Sequence, residues 1–537
     1  MQDKAAFQTH LLDHMANFDI QSPLAPTILT SIVATIGPSC MSEDILMEMM
    51  DEGMNVARVD MRMGTTSDQQ EIVDVVRSAM MNYSTMKHRV YPLALAIDLK
   101  GPEILTGGLK THKVFLERGE VVTLTAHPRW ETCGDASKIF IDYKLLPFVV
   151  QPKNRILLDC GRIELSVRGT VDNDIVCEII SEGELGSYKD VCLPGIALEI
   201  DPVSQKDKQD IKFAIDNFVD ALFVSAVRSK SAVQEIRDQL GTHNLKGQAI
   251  MVLSKIDSQI AFDYFDEILS ASDGIIVNRG MMSIEMSTEK VMQAQKAMFA
   301  KCNKAGKPVF VMTEFLNSMV HKPCPTIAEV TDVATTVIDG ADAIILNEET
   351  AFGDRPALTV KTLAKLCREA ESEVWAYELF NSLSMTAKPP LDPAHAISIA
   401  AVEASLKAHA AALIVVTTSG RSAQMIARYR PRCPILAVTR YGAVARQLNL
   451  WRGVVPVHFI SSPLSCWAKD VDVRIQYAIE FGKIKDIIKP GDPLVLVNGW
   501  RQGSGFTNNI RLVYAALTDP WVCPGPGNSP RERDELL

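Results

Sequence analysis

Two short motifs carry residue types suited to phosphoryl-group chemistry. Lys255–Asp257 ends one apolar, strand-like run, and Arg279–Met281 ends another. A lysine and a carboxylate at one strand end, beside a glycine at the next, suit the binding of a phosphate and a divalent cation. Met281 stands where a second oxygen ligand is wanted, and a thioether is too soft a ligand for Mg²⁺. The motifs therefore predict a phosphoryl-transfer site whose metal seat is altered.

The elements that must position these motifs recur at regular intervals. Eight apolar, β-rich runs alternate with helical patterns, and they span residues 31–37, 56–61, 92–98, 221–227, 249–255, 274–280, 308–313 and 343–349. Nearly continuous apolar strands between helices indicate a parallel sheet covered on both faces. Eight units predict a (β/α)₈ barrel with its site at the carboxyl ends of the strands. An open doubly wound sheet is the alternative.

Two further units have different patterns. One interrupts the series of strands and helices, and the other follows it. Between Asp98 and Ala221 the chain alternates apolar and polar residues with glycine punctuation, which predicts an inserted antiparallel β-domain that closes over the barrel mouth. From about residue 390 the pattern returns to α/β. There Thr417–Ser422 lies between a strand and a helix, and its hydroxyls and backbone N–H groups make a candidate anion cradle.

These patterns divide the chain into six parts. The predicted parts are an N-terminal helical segment (1–29), a first barrel part (30–103), the inserted β-lid (104–203), a second barrel part (204–373), a C-terminal α/β effector domain (374–517) and a flexible tail (518–537). The first fifteen residues are predicted to form an amphipathic helix.

Composition narrows the class of protein. The chain has 537 residues, 47% of them hydrophobic, which is enough for several packed domains. A net charge of −10 gives no electrostatic basis for nucleic-acid binding, and no apolar run approaches membrane-spanning length. Eleven cysteines without a CxxC pair suit a reduced compartment. We therefore expect a cytoplasmic protein with neither a nucleic-acid nor a membrane partner.

The motifs resemble those of pyruvate kinases from about residue 10 to about residue 514. The resemblance is carried by GMNVARVDM (53–61), DLKGPEILTG (98–107), SKID (254–257), DGIIVNRG (273–280), NKAGKPV (303–309), RSAQMIARYRPR (421–432) and NGWRQGSGFTN (498–508). It implies a barrel, an inserted lid and a regulatory α/β domain in a homotetramer. It also implies phosphoryl transfer from phosphoenolpyruvate to ADP, followed by protonation of the enolate to pyruvate, with Mg²⁺ and usually K⁺.

The resemblance assigns roles to particular residues. It implies catalytic roles for Arg58, Lys255 and Thr313, and substrate contacts for those three with Ser225 and Gly280. It implies nucleotide contacts at Lys189, Arg62 and Met63, a Mg²⁺ ligand at Asp257, a monovalent-cation site at Asp60 and Asp98, and a further matching position at Glu103.

The departures from the family pattern fall in the same site. Asp257 and Met281 replace a Glu–Asp metal pair, and Asp60 and Arg62 replace an Asn and a Ser of the K⁺ site. The other changes, each at a position where the family has a polar or charged residue, are Met63, Leu99, Leu105, Cys160 and Cys192. Arg62 is open to two interpretations. Either its guanidinium replaces the K⁺ charge, or its side chain only fills the relaxed K⁺ site and pairs with whichever group is nearby.

The C-terminal domain keeps the family pattern. Its matching residues imply binding of fructose 1,6-bisphosphate at Thr417, Thr418, Ser419, Gly420, Arg421, Ser422, Trp467, Arg474, Arg501, Gly503, Gly505 and Thr507. Two functions remain open. One is a pyruvate kinase with impaired activity. The other is an inactive paralogue that binds a sugar bisphosphate or joins hetero-oligomers with an active relative. A scaffold role for the tail is a third, weaker alternative.

Overall fold

The computed structural model describes residues 2–102, 104–111, 113–159, 161–196, 201–242, 245–501, 503 and 505–516. The sequence predictions for Glu103, Cys160 and the tail at 518–537 lie outside these residues. The domain boundaries predicted from the sequence stay predictions.

The N-terminal segment forms two short helices, α1 (Asp3–Ala6) and α2 (Leu11–Ala16), where the sequence predicts one. The buried His14 side chain explains the break. Its Nδ1 lies 2.8 Å from the Ala5 carbonyl oxygen and its Nε2 lies 3.0 Å from the Glu373 carbonyl oxygen. A single straight helix could not satisfy both bonds, because His14 lies more than two turns after Ala5.

The first part of the barrel alternates strands and helices. It comprises β1 (Ser31–Thr35), α3 (Glu43–Glu52), β2 (Met54–Asp60), α4 (Thr66–Met86) and β3 (Ala94–Asp98). Helix α3 ends at Gly53, whose φ of +118° favours glycine. Helix α4 begins with a capping box in which Thr65 and Asp68 bond each other's backbone N–H groups. These ends match the sequence signals for helix boundaries.

The insertion after β3 is an all-β lid apart from one short helix. It contains β4 (Lys113–Leu116), β5 (Val121–Thr125), β6 (Lys138–Phe140), α5 (Leu146–Val149), β7 (Arg155–Leu158), β8 (Ile163–Val171), β9 (Asp174–Ile179), β10 (Gly183–Gly186) and β11 (Val191–Cys192). Six strands form one sheet in the order β11-β7-β8-β9-β5-β6, and β10 pairs with β4. A separate cluster of buried apolar side chains holds the lid together.

The chain then completes the barrel. The elements are α6 (Gln205–Asp216), β12 (Ala221–Val224), α7 (Lys230–Thr242), α8 (Leu245–Gln248), β13 (Met251–Ile256), α9 (Gln259–Asp263), α10 (Phe265–Ala271), β14 (Gly274–Asn278), α11 (Arg279–Glu285), α12 (Thr288–Ala305), β15 (Val309–Met312), α13 (Ile327–Ile338), β16 (Ala343–Leu346), α14 (Glu348–Ala351) and α15 (Pro356–Glu373).

The eight parallel strands close in the order β1-β16-β15-β14-β13-β12-β3-β2. This confirms the predicted (β/α)₈ barrel and rules out the open sheet. Alternate residues fill the interior, including Val33, Val56, Phe223, Ile276 and Phe310, while the residues between them pack against the outer helices. Because all strands run the same way, their carboxyl ends meet at one mouth, which gathers the candidate site.

The C-terminal domain is a separate α/β layer. It contains α16 (Ala376–Met385), α17 (Pro393–Lys407), β17 (Ala412–Val416), α18 (Arg421–Arg428), β18 (Ile435–Thr439), α19 (Gly442–Leu448), β19 (Val454–His458), α20 (Trp467–Ile484), β20 (Pro493–Gly499) and β21 (Thr507–Tyr514). The sheet order is β19-β18-β17-β20-β21, and β21 runs antiparallel to β20. These elements confirm the α/β pattern predicted from about residue 390. Within the described residues, no helix has the length and apolar character that spanning a membrane requires.

Candidate functional site

Arg58 lies at the centre of a buried polar network at the barrel mouth. Its side chain is 1% exposed. Nε donates to Asp98 Oδ2 at 2.6 Å, Nη1 donates to Thr35 Oγ1 at 2.7 Å and Asn347 Oδ1 at 3.2 Å, and Nη2 donates to Asp60 Oδ2 at 2.8 Å. These bonds use four of the five guanidinium N–H donors, so the charge is fixed in place.

Lys255, the last but one residue of β13, completes this network. Its Nζ lies 2.6 Å from Asp98 Oδ1 and donates to Ser225 Oγ at 3.0 Å. Ser225 in turn donates to the Leu99 carbonyl at 2.9 Å. The structure therefore brings Arg58, Lys255, Ser225 and Asp98 together, as the strand-end positions predict. Because Leu99 takes part through its backbone, its apolar side chain does not interrupt the network.

Asp60 is bonded by two guanidinium groups. Besides Arg58, Arg62 donates to it from Nε to Oδ1 at 3.0 Å and from Nη2 to Oδ2 at 2.8 Å, and the Arg62 amide donates to Oδ1 at 3.0 Å. Burial alone would raise the pKa of Asp60, but Arg62 and Arg58 hold it well below its usual range. Arg62 is thus ordered on Asp60, while Asp98 is bonded by Arg58 and Lys255.

The candidate metal seat contains Asp257, which follows β13. Its Oδ2 accepts the Ala226 amide at 2.9 Å. Burial raises the pKa of Asp257, against the opposing effect of the nearby Arg228. Met281 lies in the first turn of α11, where its amide donates to Asn278 Oδ1 at 3.5 Å. The weakened Mg²⁺ seat expected at Asp257 and Met281 stays a prediction.

Gly280 and Thr313 follow the next two strands of the barrel. Gly280 is the second residue of α11, and a Cβ atom added there would lie 3.7 Å from Asn278 Oδ1, an ordinary contact. No protein neighbour among the described residues therefore requires glycine at this position. Thr313 follows β15 and is half-buried, so its side chain is accessible from the barrel mouth.

Of the three residues predicted to contact a nucleotide, Arg62 bonds Asp60 within the Arg58 network, whereas Lys189 pairs with a lid residue. Lys189, in the lid, forms an ion pair of 3.0 Å with Asp159, and its amide donates to Thr106 Oγ1 at 2.8 Å. Met63 is half-buried just after β2. The Leu105 amide donates to Asp142 Oδ1 at 2.7 Å, so this position keeps its backbone role in the lid while offering no charge.

Several residues of the site were missed by the sequence reasoning. Thr35 and Asn347, which bond Arg58, end β1 and follow β16. The rule that barrel sites collect strand-end residues would have found both. Arg228 and Glu285 carried no such signal. Burial and then Asp257 raise the pKa of Glu285, whereas Arg228 lowers it, so these three charges lie within electrostatic reach of one another.

The effector cradle, which we define as Thr417–Ser422 with Thr507, is built mainly from hydroxyls and amides. Thr417 Oγ1 accepts the Gly420 amide at 3.0 Å, and Ser422 Oγ lies 2.6 Å from Thr507 Oγ1. Gly420 has a φ of +79° and precedes α18, so the first amides of that helix remain available to an anion. These residues line a cavity of about 200 Å³.

The charged residues around the effector cradle differ in their availability. Arg501 lines the cavity and its guanidinium lies 3.8 Å from the centre of the Phe506 ring. Trp467 also lines it and donates from Nε1 to the Gly499 carbonyl at 3.2 Å. Arg474 is buried behind Trp467, where Nε donates to Asp470 Oδ2 at 3.0 Å. Because Arg474 is not among the residues that line the cavity, its role in binding a phosphate stays a prediction.

Comparisons with known proteins agree with this architecture. The family model described as pyruvate kinase, barrel domain, matches residues 28–360, and the pyruvate kinase alpha/beta domain matches residues 395–513. The chain is 42% identical to pyruvate kinase PKLR of Homo sapiens over 95% of its own length and 89% of that protein. It is 36% identical to pyruvate kinase 1 of Trypanosoma brucei brucei and to pyruvate kinase of Candida albicans, in each case over 94% of its own length and 99% of theirs. The chain therefore belongs to the pyruvate kinase family.

Proposed function

We propose that this protein transfers a phosphoryl group from phosphoenolpyruvate to ADP, with an activity lowered by its altered cation sites. The observation that carries the proposal is the buried network in which Arg58 and Lys255 are bonded to Asp98 at the barrel mouth. Phosphoryl transfer depends mainly on positioned positive charge. Two buried cations, on β2 and β13, both face Asp98 on β3 and supply that charge without reorganisation.

Each residue of the barrel mouth has its own proposed role in the reaction. Lys255 has three N–H donors; one goes to Ser225 and one faces Asp98, which leaves one for a phosphoryl oxygen. Arg58 Nη2 lies 2.8 Å from Asp60 Oδ2 and 2.6 Å from Asp98 Oδ2, so we assign this guanidinium to supplying a fixed positive charge. We assign the hydroxyl of Thr313, which follows β15, to the protonation of the enolate. We assign Ser225 and Asp98 to orienting Lys255.

The Mg²⁺ seat does not fit the family's chemistry. Asp257 offers a single carboxylate, one of whose oxygens already accepts the Ala226 amide. The Met281 thioether is a poor ligand for a hard cation. A seat of this kind holds Mg²⁺ weakly, and we therefore derive no step of the reaction through the metal.

The monovalent-cation site does not fit K⁺ either. Both oxygens of Asp60 accept guanidinium N–H donors, so this carboxylate has little capacity left for a cation. We propose that the Arg62 guanidinium takes the place of K⁺. Within this cluster Arg58, Arg62 and Lys255 face Asp60 and Asp98, which leaves one net positive charge. The family pattern, with a neutral residue at position 60 and a bound K⁺, would leave two.

A second candidate function rests on the effector cradle. Its hydroxyls, the helix N-terminus at Gly420 and the Arg501 guanidinium surround one cavity, which supports binding of a bisphosphorylated sugar such as fructose 1,6-bisphosphate. A protein that binds this ligand without turnover would act as a regulatory subunit. We propose the same cytoplasmic homotetramer or hetero-oligomer in either case.

The test is pyruvate formation from phosphoenolpyruvate and ADP with Mg²⁺, measured by coupled assay. We expect a rate well below that of pyruvate kinase PKLR assayed in parallel, and none for Lys255→Met. A rate equal to that relative would overturn the impairment. No rate above that of Lys255→Met, together with a thermal shift by fructose 1,6-bisphosphate, would favour the regulatory function.

A further inference from the structure

One buried carboxylate bonds both of the chain segments that join the lid to the barrel. These two lid connections are the segment 99–102, which follows β3, and the segment 201–204, which precedes α6. The carboxylate belongs to Asp207 in the first turn of α6, a residue that is 1% exposed. Its Oδ1 accepts the Gly101 amide at 3.0 Å, and its Oδ2 accepts the Ser204 amide at 2.9 Å and the Ser204 hydroxyl at 2.6 Å. Asp207 therefore holds the two lid connections together.

Helix capping accounts for only part of this arrangement. Ser204 and Asp207 form a capping box, in which each side chain accepts the backbone amide of the other residue. The capping box of α4 has the same form, with Thr65 and Asp68, and there the carboxylate is exposed. The bond that Asp207 receives from Gly101, 106 residues earlier in the chain, is not a capping bond. It adds a link between α6 and the first lid connection.

Gly101 lies where bonding to the barrel ends and bonding to the lid begins. On the barrel side, the Leu99 amide donates to a carbonyl of β12 at 2.9 Å. On the lid side, Lys100 forms an ion pair of 3.1 Å with Asp142. Gly101 itself has a φ of +72°, which favours glycine. A rotation of the lid relative to the barrel would turn the chain at this residue, and the bond to Asp207 opposes that rotation.

The same lid connection contacts the network of the barrel mouth. Ser225 donates its hydroxyl to the Leu99 carbonyl at 2.9 Å and accepts from Lys255 Nζ at 3.0 Å. The Gly101 backbone packs so closely on Ser225 that an added Cβ atom would lie 2.8 Å from the Ser225 Cβ. A shift of this connection would therefore move the hydroxyl that orients Lys255.

We propose that Asp207 is a positioning residue, which fixes both lid connections and, through Leu99 and Ser225, the ammonium group of Lys255. Its role in the reaction rests on the phosphoryl transfer proposed above. A carboxylate suits this task because both of its oxygens accept, whereas an asparagine offers one acceptor and one donor. The N-terminus of α6 also favours a negative charge at this position. The exclusion of water by the lid and the orientation of Lys255 then depend on one residue.

Amide hydrogen exchange, measured by mass spectrometry, tests the hold on the lid without reference to activity. Asp207→Asn deprives either Gly101 or Ser204 of its acceptor, and the peptide that contains that amide should exchange about tenfold faster. Asp68→Asn is the matched control, since it alters the capping box of α4 and leaves both lid connections bonded. Unchanged exchange at both connections in Asp207→Asn, or an equal increase there in Asp68→Asn, would overturn the proposal.

Kinetics test whether Asp207 also positions Lys255. Ser204→Ala removes the capping hydroxyl and leaves both backbone amides bonded to Asp207, so it measures the loss of the cap alone. Asp207→Asn should lower kcat for pyruvate formation about tenfold more than Ser204→Ala does, with little change in KM for phosphoenolpyruvate, because Lys255 acts on the transferring group. Equal kcat values for the two variants would mean that Asp207 only caps α6.

A double-mutant cycle tests the path from Asp207 to Lys255. If Asp207 acts through Ser225, Asp207→Asn should lower kcat much less in a Ser225→Ala background than in the unmodified protein. Equal effects in the two backgrounds would overturn that path. Asp207→Glu, which keeps two acceptor oxygens on a longer side chain, replaces Asp207→Asn in each measurement if that variant does not fold. An inactive unmodified protein would contradict the proposed phosphoryl transfer, and hydrogen exchange would still decide whether Asp207 holds the lid connections.

Discussion

The barrel mouth and the effector cradle both present groups for phosphate, but they hold them in different ways. At the mouth, charged side chains are bonded to one another: Arg58 to Asp60 and Asp98, and Lys255 to Asp98. Around the effector cradle, hydroxyls and backbone amides share the cavity lining with Arg501 and with an exposed ion pair of 3.5 Å between Arg421 and Asp392. The mouth is therefore a closed electrostatic network, and the cradle is an open set of donors.

Because the two regions hold their groups differently, a single substitution should affect their stability and binding differently. In a buried ionic network every partner is needed, since removal of one leaves an uncompensated charge. Substitutions at the mouth must therefore come in compensating pairs, and Asp60 with Arg62 has the form of such a pair. In the cradle, whose donors are hydroxyls, amides and exposed guanidinium groups, each group contributes separately, and a single loss weakens binding without disturbing the fold.

The largest effect should come from breaking the network at its centre. Arg58→Met removes a guanidinium that four groups bond and leaves Asp60 and Asp98 each with one partner fewer. Removing one member of a buried ion pair typically costs about 3–5 kcal/mol. We expect the free energy of unfolding, measured by urea denaturation, to fall by about that amount.

Arg501→Gln is the matched substitution in the effector region, because Arg501 is exposed. Its effect on unfolding should stay within about 0.5 kcal/mol. If Arg58→Met were as mild as Arg501→Gln, the mouth would not be a mutually dependent network, and the contrast between the two regions would fail.

The next effect concerns the effector cradle. Fructose 1,6-bisphosphate at one hundred times its Kd should stabilise the folded protein by about 2.7 kcal/mol, measured as a rise in Tm. Arg501→Gln and Ser422→Ala should each reduce this rise. Met281→Leu should leave it unchanged, because Met281 lies in the barrel. The absence of any shift at millimolar ligand would mean that the cradle is only a strand-to-helix connection.

Much of this comparison was predictable from the sequence. The eight barrel strands are short, continuous apolar runs because both of their faces are buried. Such runs can be recognised in the sequence alone. The sequence also predicted that Arg58, Lys255 and Ser225 meet, because the carboxyl ends of parallel barrel strands gather at one mouth. The N-terminal break was not predictable, since it depends on His14 reaching the Glu373 carbonyl far along the chain.

The details of the charge pairing were also beyond the sequence. Arg62 could have bonded Asp60 or Asp98, and only the side-chain geometry shows that it bonds Asp60 with two nitrogens. Arg474 matched a phosphate-contacting position, yet it is buried beside Asp470. In both cases the arginine has several carboxylates nearby. The spacing of residues along the sequence does not show which of them it bonds.

Restoring two carboxylates at the metal seat tests the barrel mouth by a gain of activity. Asp257→Glu with Met281→Asp returns the two-carboxylate pattern and supplies hard oxygen ligands. We expect the Mg²⁺ concentration for half-maximal activity to fall about tenfold, which corresponds to about 1.4 kcal/mol of binding free energy. Met281→Leu, which removes the sulfur without adding a carboxylate, should not change it. An equal gain from Met281→Leu would show that the thioether obstructs the site and that the carboxylate is irrelevant.

The compensating pair should govern the response to K⁺. In the unmodified protein, activity at constant ionic strength should not depend on KCl, because Arg62 already occupies Asp60. Asp60→Asn with Arg62→Ser removes both charges and restores the family pattern, and K⁺ should then raise activity several-fold. Constant ionic strength is essential, since salt alone screens the binding of anionic substrates. Strong K⁺ activation of the unmodified protein would contradict the proposed role of Arg62.

The smallest effect lies behind the effector cradle, where Asp470 holds Arg440 and Arg474. Burial would raise the pKa of Asp470, but its bonds with Arg440, the Leu464 amide and Arg474 hold it well below its usual range. A carboxylate with a lowered pKa in the folded state stabilises the protein above its unfolded pKa of about 3.9, and this contribution is lost as the pH falls below that value. One such group changes the free energy of unfolding by at most about 1.4 kcal/mol per pH unit.

Asp470→Asn should therefore flatten the acid side of the stability profile, measured as the urea midpoint between about pH 5 and pH 2. Asp472→Asn is the matched control on the same helix, because Asp472 forms an exposed ion pair of 3.4 Å with Arg511. An exposed pair contributes about 0–1 kcal/mol, so the profile of this variant should keep the original slope. If the two variants behaved alike, Asp470 would not be the group that links this domain's stability to pH. The closed ionic network would then be a property of the barrel mouth alone, and the contrast between the two regions would be complete.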